Sequence, residues 1–162
     1  MTNSITRTIY DGFATNRLEL WDGLIHPDVI TNSPLGQGFV GIAALKGWAS
    51  EFHQAFAPAI DLVDEFATDT RAVITVTLHW QHVGEFFGVK PTGRTGTSIE
   101  TFILTLKDGV VTRWDVADAT LDLVVYLVAE RGFTYPQNII PTPIVKGTRA
   151  NVAQSFSCQE TR

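Results

Sequence analysis

The sequence is poor in the residues that build disulfides, and it has no long apolar run. Its one cysteine, Cys158, cannot form an internal disulfide, so a reducing compartment such as the cytoplasm is expected. The longest apolar stretch, residues 121–129, is interrupted by Asp122 and is far too short to span a bilayer. Residues 1–13 have no apolar core of the kind found in signal peptides. These features predict a cytoplasmic protein without a membrane partner.

Positive charge and metal-binding motifs are also scarce. Twelve Lys and Arg residues, scattered along the chain, face 17 Asp and Glu residues, which gives a net charge of −5. Nucleic-acid binding needs a basic face, so no nucleic-acid partner is expected. The sequence contains neither HExxH nor GxSxG, and no His, Asp and Glu residues have metal-ligand spacing. It therefore predicts no metal and no other cofactor.

What is present is the pattern of a small α+β protein. The chain has 162 residues, of which 44% are hydrophobic and 18% charged, as in one globular domain. Helical spacing over residues 5–15 and from Ile42 to Phe56 predicts two amphipathic helices, and Asn16 with Glu19 resembles the capping box of a short helix between them. The glycine-rich residues 35–41 are expected to form a turn.

The second half of the chain changes to a period of two. Antiparallel strands are predicted over four segments, followed by a last helix over 119–130; the strand segments are 59–66, 71–83, 97–106 and 110–118. We expect residues 1–132 to form a single domain. The proline-containing tail, residues 133–162, is expected to pack on the domain or on a partner subunit.

The last two strands form a hairpin whose inward face can be predicted. If Leu106 faces Val110 across the Asp108-Gly109 turn, Glu100 pairs with Val116. One face then carries mostly apolar side chains with two carboxylates near one end: Ser98, Glu100, Phe102, Leu104, Thr112, Trp114, Val116 and Asp118.

The two carboxylates, Glu100 and Asp118, are candidate acid/base groups, because burial raises the pKa of a carboxyl group toward neutrality. Other roles remain open. Asp118 precedes the predicted last helix and could be its N-cap. Glu100 could be solvated at a strand edge or paired with Arg94 or Arg113.

His82 is a third candidate, because it shares the alternation of Trp80 on the long strand over residues 71–83. A histidine that is satisfied at the strand end is the alternative. The apolar stripe of the preceding helix ends in Phe52 and Phe56, which are expected to face the same interior.

Several segments resemble one family. The stretches IYDGFATNRLELWDGLIHPDVI, GIAALKGWASEFHQAFAP, HVGEFFGVKPTGRTG and LKDGVVTRWDVADATLDLVVYL are similar in order and spacing to the SnoaL-like polyketide cyclases. This resemblance implies a cone-shaped barrel, in which a curved antiparallel sheet wraps around N-terminal helices and encloses an internal pocket. It also implies that Asp118 is the acid/base aspartate and that Trp114 is the tryptophan of the same motif. His82 matches a histidine that is common before GEF.

The resulting hypothesis is a cofactor-independent cyclase or isomerase of secondary metabolism. Asp118, Glu100 and His82 are the predicted catalytic residues, and the predicted substrate pocket is formed by Trp114, Phe102, Leu104, Trp80, Val116, Phe52 and Phe56. Anthracycline-ring cyclases carry polar groups on the penultimate strand where this chain has Phe102 and Leu104, so a more hydrophobic, terpenoid-like or polyene substrate is expected.

Two other functions and one partner complete the sequence-based expectations. An epoxide hydrolase or dehydratase could use the same carboxylates, and a non-catalytic ligand-binding protein could use the same pocket. The β-branched residues Val73, Thr75 and Thr77 offer a flat outer face, which predicts a homodimer.

Overall fold

The computed structural model describes residues 4–33, 36–118 and Leu127. Two α-helices and a short 3-10 helix accompany six β-strands. In chain order these elements are α1 (Ile5–Ala14), the 3-10 helix (Leu18–Trp21), β1 (Ile25–Ser33), β2 (Gly36–Val40), α2 (Ile42–Phe56), β3 (Ala59–Ala67), β4 (Arg71–Gln81), β5 (Thr95–Lys107) and β6 (Val110–Ala117).

All six strands join one curved sheet in the order β2-β1-β6-β5-β4-β3. The α+β class is confirmed. The curved sheet is mixed rather than antiparallel throughout, because β1 runs parallel to β6, with Thr31 beside Trp114. Side-chain alternation identifies the faces of a strand but not its direction, so the sequence pattern could not reveal this pairing.

Two local predictions are also corrected. Asn16 does not cap a following helix: it adopts a left-handed conformation with φ of 53°, and its N–H bonds to the carbonyl of Phe13 at the end of α1. The glycine-rich segment is not a simple turn. Residues 36–40 form β2, which pairs with β1 through Phe39 and Val40. A strand can form there because the pairing uses backbone groups and requires little from the side chains.

The core lies between the helices and the inner face of the sheet. Ile9 and Phe13 of α1 and Phe52 of α2 are almost completely buried. On β4 the alternate residues are buried, as predicted: Ala72, Ile74, Val76, Leu78 and Trp80. No helix in residues 4–33 or 36–118 is long and apolar enough to cross a membrane.

The chain divides into two compact units, residues 1–118 and 119–162. All of the elements given above belong to the first unit. The predicted helix over 119–130 and the tail over 133–162 lie outside the described residues, apart from Leu127, and the predicted domain boundary at residue 132 stays a prediction.

Candidate active site on the inner face of the sheet

The hairpin of β5 and β6 brings Glu100 and Asp118 to neighbouring positions. Thr101 pairs with Ala117 in the last pair of the ladder. The next position therefore sets Glu100 across from Asp118, the residue that directly follows β6. The predicted pairing of Glu100 with Val116 is wrong, and Val116 pairs with Phe102 instead.

The register differs from the prediction for two reasons. Lys107, not Leu106, sits at the turn and pairs with Val110, since Asp108 and Gly109 both have positive φ and form a two-residue connection. A β-bulge then leaves Thr112 as an extra residue of β6, and its hydroxyl donates to the carbonyl of Thr105 at 3.3 Å.

The inner wall of the hairpin is apolar. Phe102, Leu104 and Trp114 are fully buried, and Val116 is 8% exposed. Thr112, predicted to belong to this face, is only half-buried because it lies at the bulge. The four apolar residues lie on the predicted face. Their contact with a substrate stays a prediction.

Glu100 is a buried ionisable side chain on this apolar wall. Its side chain is 3% exposed, and its Oε2 atom has no hydrogen-bond partner among the described residues. Burial, and next to it the negative charge of Asp118, raise the pKa of Glu100 well above the ordinary glutamate value. The site therefore favours the protonated, neutral carboxyl group.

Asp115 is a carboxylate on the outer face of the same hairpin, and its environment contrasts with that of Glu100. The guanidinium of Arg113 donates to Asp115 at 2.8 Å and 3.1 Å, and the amide of Asn32 donates to it at 2.6 Å. These partners, the Arg113 hydrogen bond above all, lower the pKa of Asp115. The environment of Glu100 is thus that of a proton donor, whereas the environment of Asp115 is that of a structural anion.

Asp118 is half-buried, and its charge acts on Glu100. The helix that it was predicted to cap lies outside the described residues. Two carboxyl groups in mutual electrostatic contact do not ionise independently, because ionisation of one disfavours ionisation of the other. The pair can therefore hold one proton and one negative charge, which is the arrangement needed for combined acid and base chemistry.

His82 does not share this part of the wall. Val76 is the β4 residue that pairs with Glu100, and His82 lies six positions further along the chain, roughly 20 Å of extended strand away. The His82 ring is fully buried and stacks on Phe56, with centroids 5.2 Å apart. The structure therefore separates this histidine from the two carboxyl groups.

The tautomer of His82 follows from its hydrogen bonds. Nδ1 accepts the backbone N–H of Thr92 at 3.2 Å, so the neutral ring carries its proton on Nε2. Burial lowers the pKa of His82, although a backbone interaction with Gly84 opposes this effect. This arrangement is that of a neutral histidine that ties the loop after β4 to the sheet.

Trp80, Phe56 and Phe52 lie with His82 rather than with Glu100. Trp80 contacts Phe56 with centroids 5.6 Å apart, and Phe56 contacts Phe52 at 4.9 Å. An open groove of about 400 Å³ lies beside Trp80; its lining consists of Ala57, Ala59, His79, Trp80, Gln81, Thr95, Gly96 and Thr97. The predicted site residues thus fall into two clusters.

Phe13, which is not among the predicted site residues, connects the two clusters. Its ring lies 6.4 Å from Phe52 and 5.3 Å from Phe102, and Phe102 lies 5.0 Å from Trp114. Phe13 stands on the apolar stripe of α1, but helical spacing alone does not tell which strand that stripe contacts. Aromatic side chains therefore run continuously through the interior.

Polar atoms without partners also occur at the far end of the wall. Among the described residues, neither Trp114 Nε1 nor Thr31 Oγ1 has a hydrogen-bond partner, and these two residues are neighbours on β6 and β1. No cluster of three or more His, Cys, Asp or Glu side chains in the described ranges could hold a metal ion.

Comparison with known proteins points to one family. The sequence profile described as SnoaL-like polyketide cyclase matches residues 4–121. No curated protein matches this chain in sequence.

Solved structures share the fold at low sequence identity. A candidate SnoaL-like polyketide cyclase from Jannaschia sp. CCS1 has a TM-score of 0.69 at 17% identity, with 77% of this chain and 92% of that chain covered. IdmH from Streptomyces antibioticus, a candidate polyketide cyclase, has a TM-score of 0.62 at 21% identity, with 77% and 99% covered. AclR from Streptomyces galilaeus, a candidate hydroxylase, has a TM-score of 0.63 at 22% identity, with 76% and 81% covered. These likenesses support the cone-shaped fold.

Proposed function

Because the chain belongs to the SnoaL-like polyketide cyclase family, we propose that it is a small-molecule cyclase or isomerase that works through the carboxyl pair of Glu100 and Asp118. It needs no cofactor in this proposal. The substrate is a hydrophobic molecule that is bound against the apolar inner wall of the hairpin.

The observation that carries the proposal is the burial of Glu100 across from Asp118. A buried carboxyl group without a salt-bridge partner costs stability, and such groups occur preferentially at functional sites. The raised pKa of Glu100 keeps its proton available to higher pH than that of an ordinary glutamate. Asp118 is half-buried and supplies the matching carboxylate.

The apolar wall has a second role in this proposal. Phe102, Trp114 and Val116 would hold a flexible chain in a folded conformation, so that two of its atoms approach each other. Such positioning can supply a large part of a rate enhancement, since effective molarities in oriented intramolecular reactions reach about 10⁵–10⁸ M. A cyclase therefore needs little more than shape and one proton relay.

The test measures turnover of a panel of flexible unsaturated ketones and unsaturated epoxides by mass spectrometry. A cyclase or isomerase yields a product of unchanged mass. Asp118→Asn should reduce kcat/KM by about 10²–10⁴. The matched control is Asp115→Asn on the outer face of the same strand, which should retain activity because its partnership with Arg113 is exposed.

Other outcomes identify the alternative functions. A product that has gained one water indicates an epoxide hydrolase, and a product that has lost one water indicates a dehydratase. Tight binding without any product from wild-type protein indicates a ligand-binding protein. An Asp118→Asn protein that is stably folded and as active as the Asp115→Asn control contradicts the proposal.

A further inference from the structure

We propose that the reaction begins with proton donation from Glu100 to an oxygen atom of a neutral, unsaturated substrate, and that Asp118 removes a proton from carbon at the end. This inference rests on the proposed function and specifies its reaction type. It identifies the substrate class as a molecule that carries a ketone or epoxide oxygen within reach of a carbon–carbon double bond.

The Glu100 carboxyl group is the proton donor of the first step. Its Oε2 atom is buried, and no described side chain or backbone group bonds to it. Tyr10 and His53, two titratable side chains of the helices, have other partners. Tyr10 donates to the carbonyl of Ile60 at 2.9 Å, and His53 Nε2 lies 2.7 Å from the carbonyl of Phe13. The Glu100 O–H group is therefore available to a bound molecule.

Negative charge is costly at this wall, because burial and the Asp118 carboxylate both disfavour it at Glu100. A base-first reaction would move the negative charge of Asp118 onto an enolate that lies against the apolar wall. In an acid-first reaction Glu100 loses its proton as positive charge develops on the substrate, and that positive charge attracts both carboxylates and offsets their mutual repulsion.

Aromatic side chains lie next to the acid on this wall. Phe102 follows Glu100 on the same face of β5, and its ring lies 5.0 Å from that of Trp114. Aromatic faces attract cations through the ring quadrupole, most strongly where water is excluded. Trp114 and Phe102 are both fully buried, so a developing carbocation would meet ring faces rather than solvent.

The proton and electron pairs balance in this sequence. The O–H bond of Glu100 breaks, and its proton moves to the substrate oxygen. The C–O bond of the epoxide, or the C=O π bond of the ketone, then breaks, and its electron pair stays on oxygen as a hydroxyl group. The same carbon accepts the π electron pair of the substrate's double bond, which forms the new C–C bond and leaves a cation on the far carbon of that double bond. Asp118 removes a proton from the adjacent carbon, and that C–H electron pair becomes a new double bond. Transfer of this proton from Asp118 to Glu100 restores the pair, and the product is an isomer of the substrate.

Three probes of one chain length test the charge preference by calorimetry: N,N-dimethyloctylamine as the cation, 1-octanol as the neutral molecule and octanoate as the anion. The amine should bind wild-type protein roughly tenfold or more tighter than the alcohol, with octanoate weakest. Asp118→Asn should abolish the preference for the amine, whereas Asp115→Asn should retain it. Tighter binding of octanoate, or no binding of any probe, overturns the inference.

Turnover separates this inference from the proposed function. On an unsaturated epoxide or ketone that the panel identifies as substrate, Glu100→Gln should lose activity by about 10²-fold or more, because an amide cannot donate and regain a proton. The wild-type kcat/KM should also fall as pH rises through the pKa of Glu100. Loss of activity in Asp118→Asn with full activity in Glu100→Gln would overturn the acid-first step, whereas the cyclase or isomerase activity would stand with Asp118 as its acid/base group.

Discussion

Glu100→Gln should make the protein more stable as pH rises, relative to the wild type. The folded wild-type protein holds a proton on Glu100, because burial and Asp118 raise the pKa of this group above 4.5. The unfolded chain releases that proton once the pH passes the ordinary value. The contribution of the Glu100 proton to folding stability is fully present below the pKa of Glu100 in the unfolded chain. It is lost as pH rises toward the pKa of Glu100 in the folded protein. Glutamine cannot ionise and does not show this loss.

The magnitude follows from one proton on one carboxyl group that is 3% exposed. Inside the window between the two pKa values, the free energy of unfolding of the wild type should fall by about 1.4 kcal/mol per pH unit relative to Glu100→Gln. Each pH unit of this window is therefore a substantial share of the ~5–15 kcal/mol that stabilises a typical domain.

The assay is urea unfolding of both proteins at roughly pH 5, 6 and 7. Glu51→Gln, an exposed position on α2, is the matched control and should follow the wild-type pH dependence. Asp118→Asn should narrow the pH range between the unfolded and folded pKa values of Glu100, because it removes the second cause of the raised pKa. If the difference between wild type and Glu100→Gln is the same at all three pH values, Glu100 does not hold a proton in the folded state.

Three further predictions concern stability and assembly. Gly96→Ala should destabilise the domain by about 1–3 kcal/mol, because a Cβ atom at this position would overlap the Trp80 ring; an unchanged melting temperature would contradict this packing. We expect a homodimer through the outer face of the sheet, where Val73 pairs with Ile103. Val73→Lys should therefore shift the sedimenting species from dimer to monomer, and a monomeric wild type would disprove the expectation. Deletion of residues 133–162 should lower the melting temperature or disrupt the oligomer, whereas a truncated protein of equal stability and association would show that the tail does not pack.

The strands of the second half could be predicted well because alternation depends only on local geometry. Phe102 and Trp114 are buried where a period of two requires it. The positions of the two helices followed in the same way from the spacing of apolar residues. Each of these predictions requires only that one face of an element packs against the core. None of them requires knowledge of which other element packs against that face.

Pairing between strands was harder to predict, because it depends on backbone conformation. The change of register in β6 results from the positive φ values at the turn together with the bulge at Thr112. Similarly, Gly36–Val40 carries little side-chain signal and becomes a strand only because β1 offers a free edge. Proximity of Glu100 to Asp118 was therefore expected only approximately, and the distance of His82 from both was missed.

The bulge at Thr112 makes β6 one residue longer than its pairing with β5 requires. Val111 and Trp114 both point inward although two residues separate them, which regular alternation forbids. If position 112 were deleted, Val111 and Arg113 would become consecutive, and Trp114 and Val116 would keep their partners and their inward positions in a regular ladder. Deletion of position 115 would instead turn Val116 and the aspartate at 118 to the opposite face. In an alignment of this hairpin, a gap of one residue at 112 is therefore compatible with the site, whereas the same gap between Trp114 and Asp118 is not.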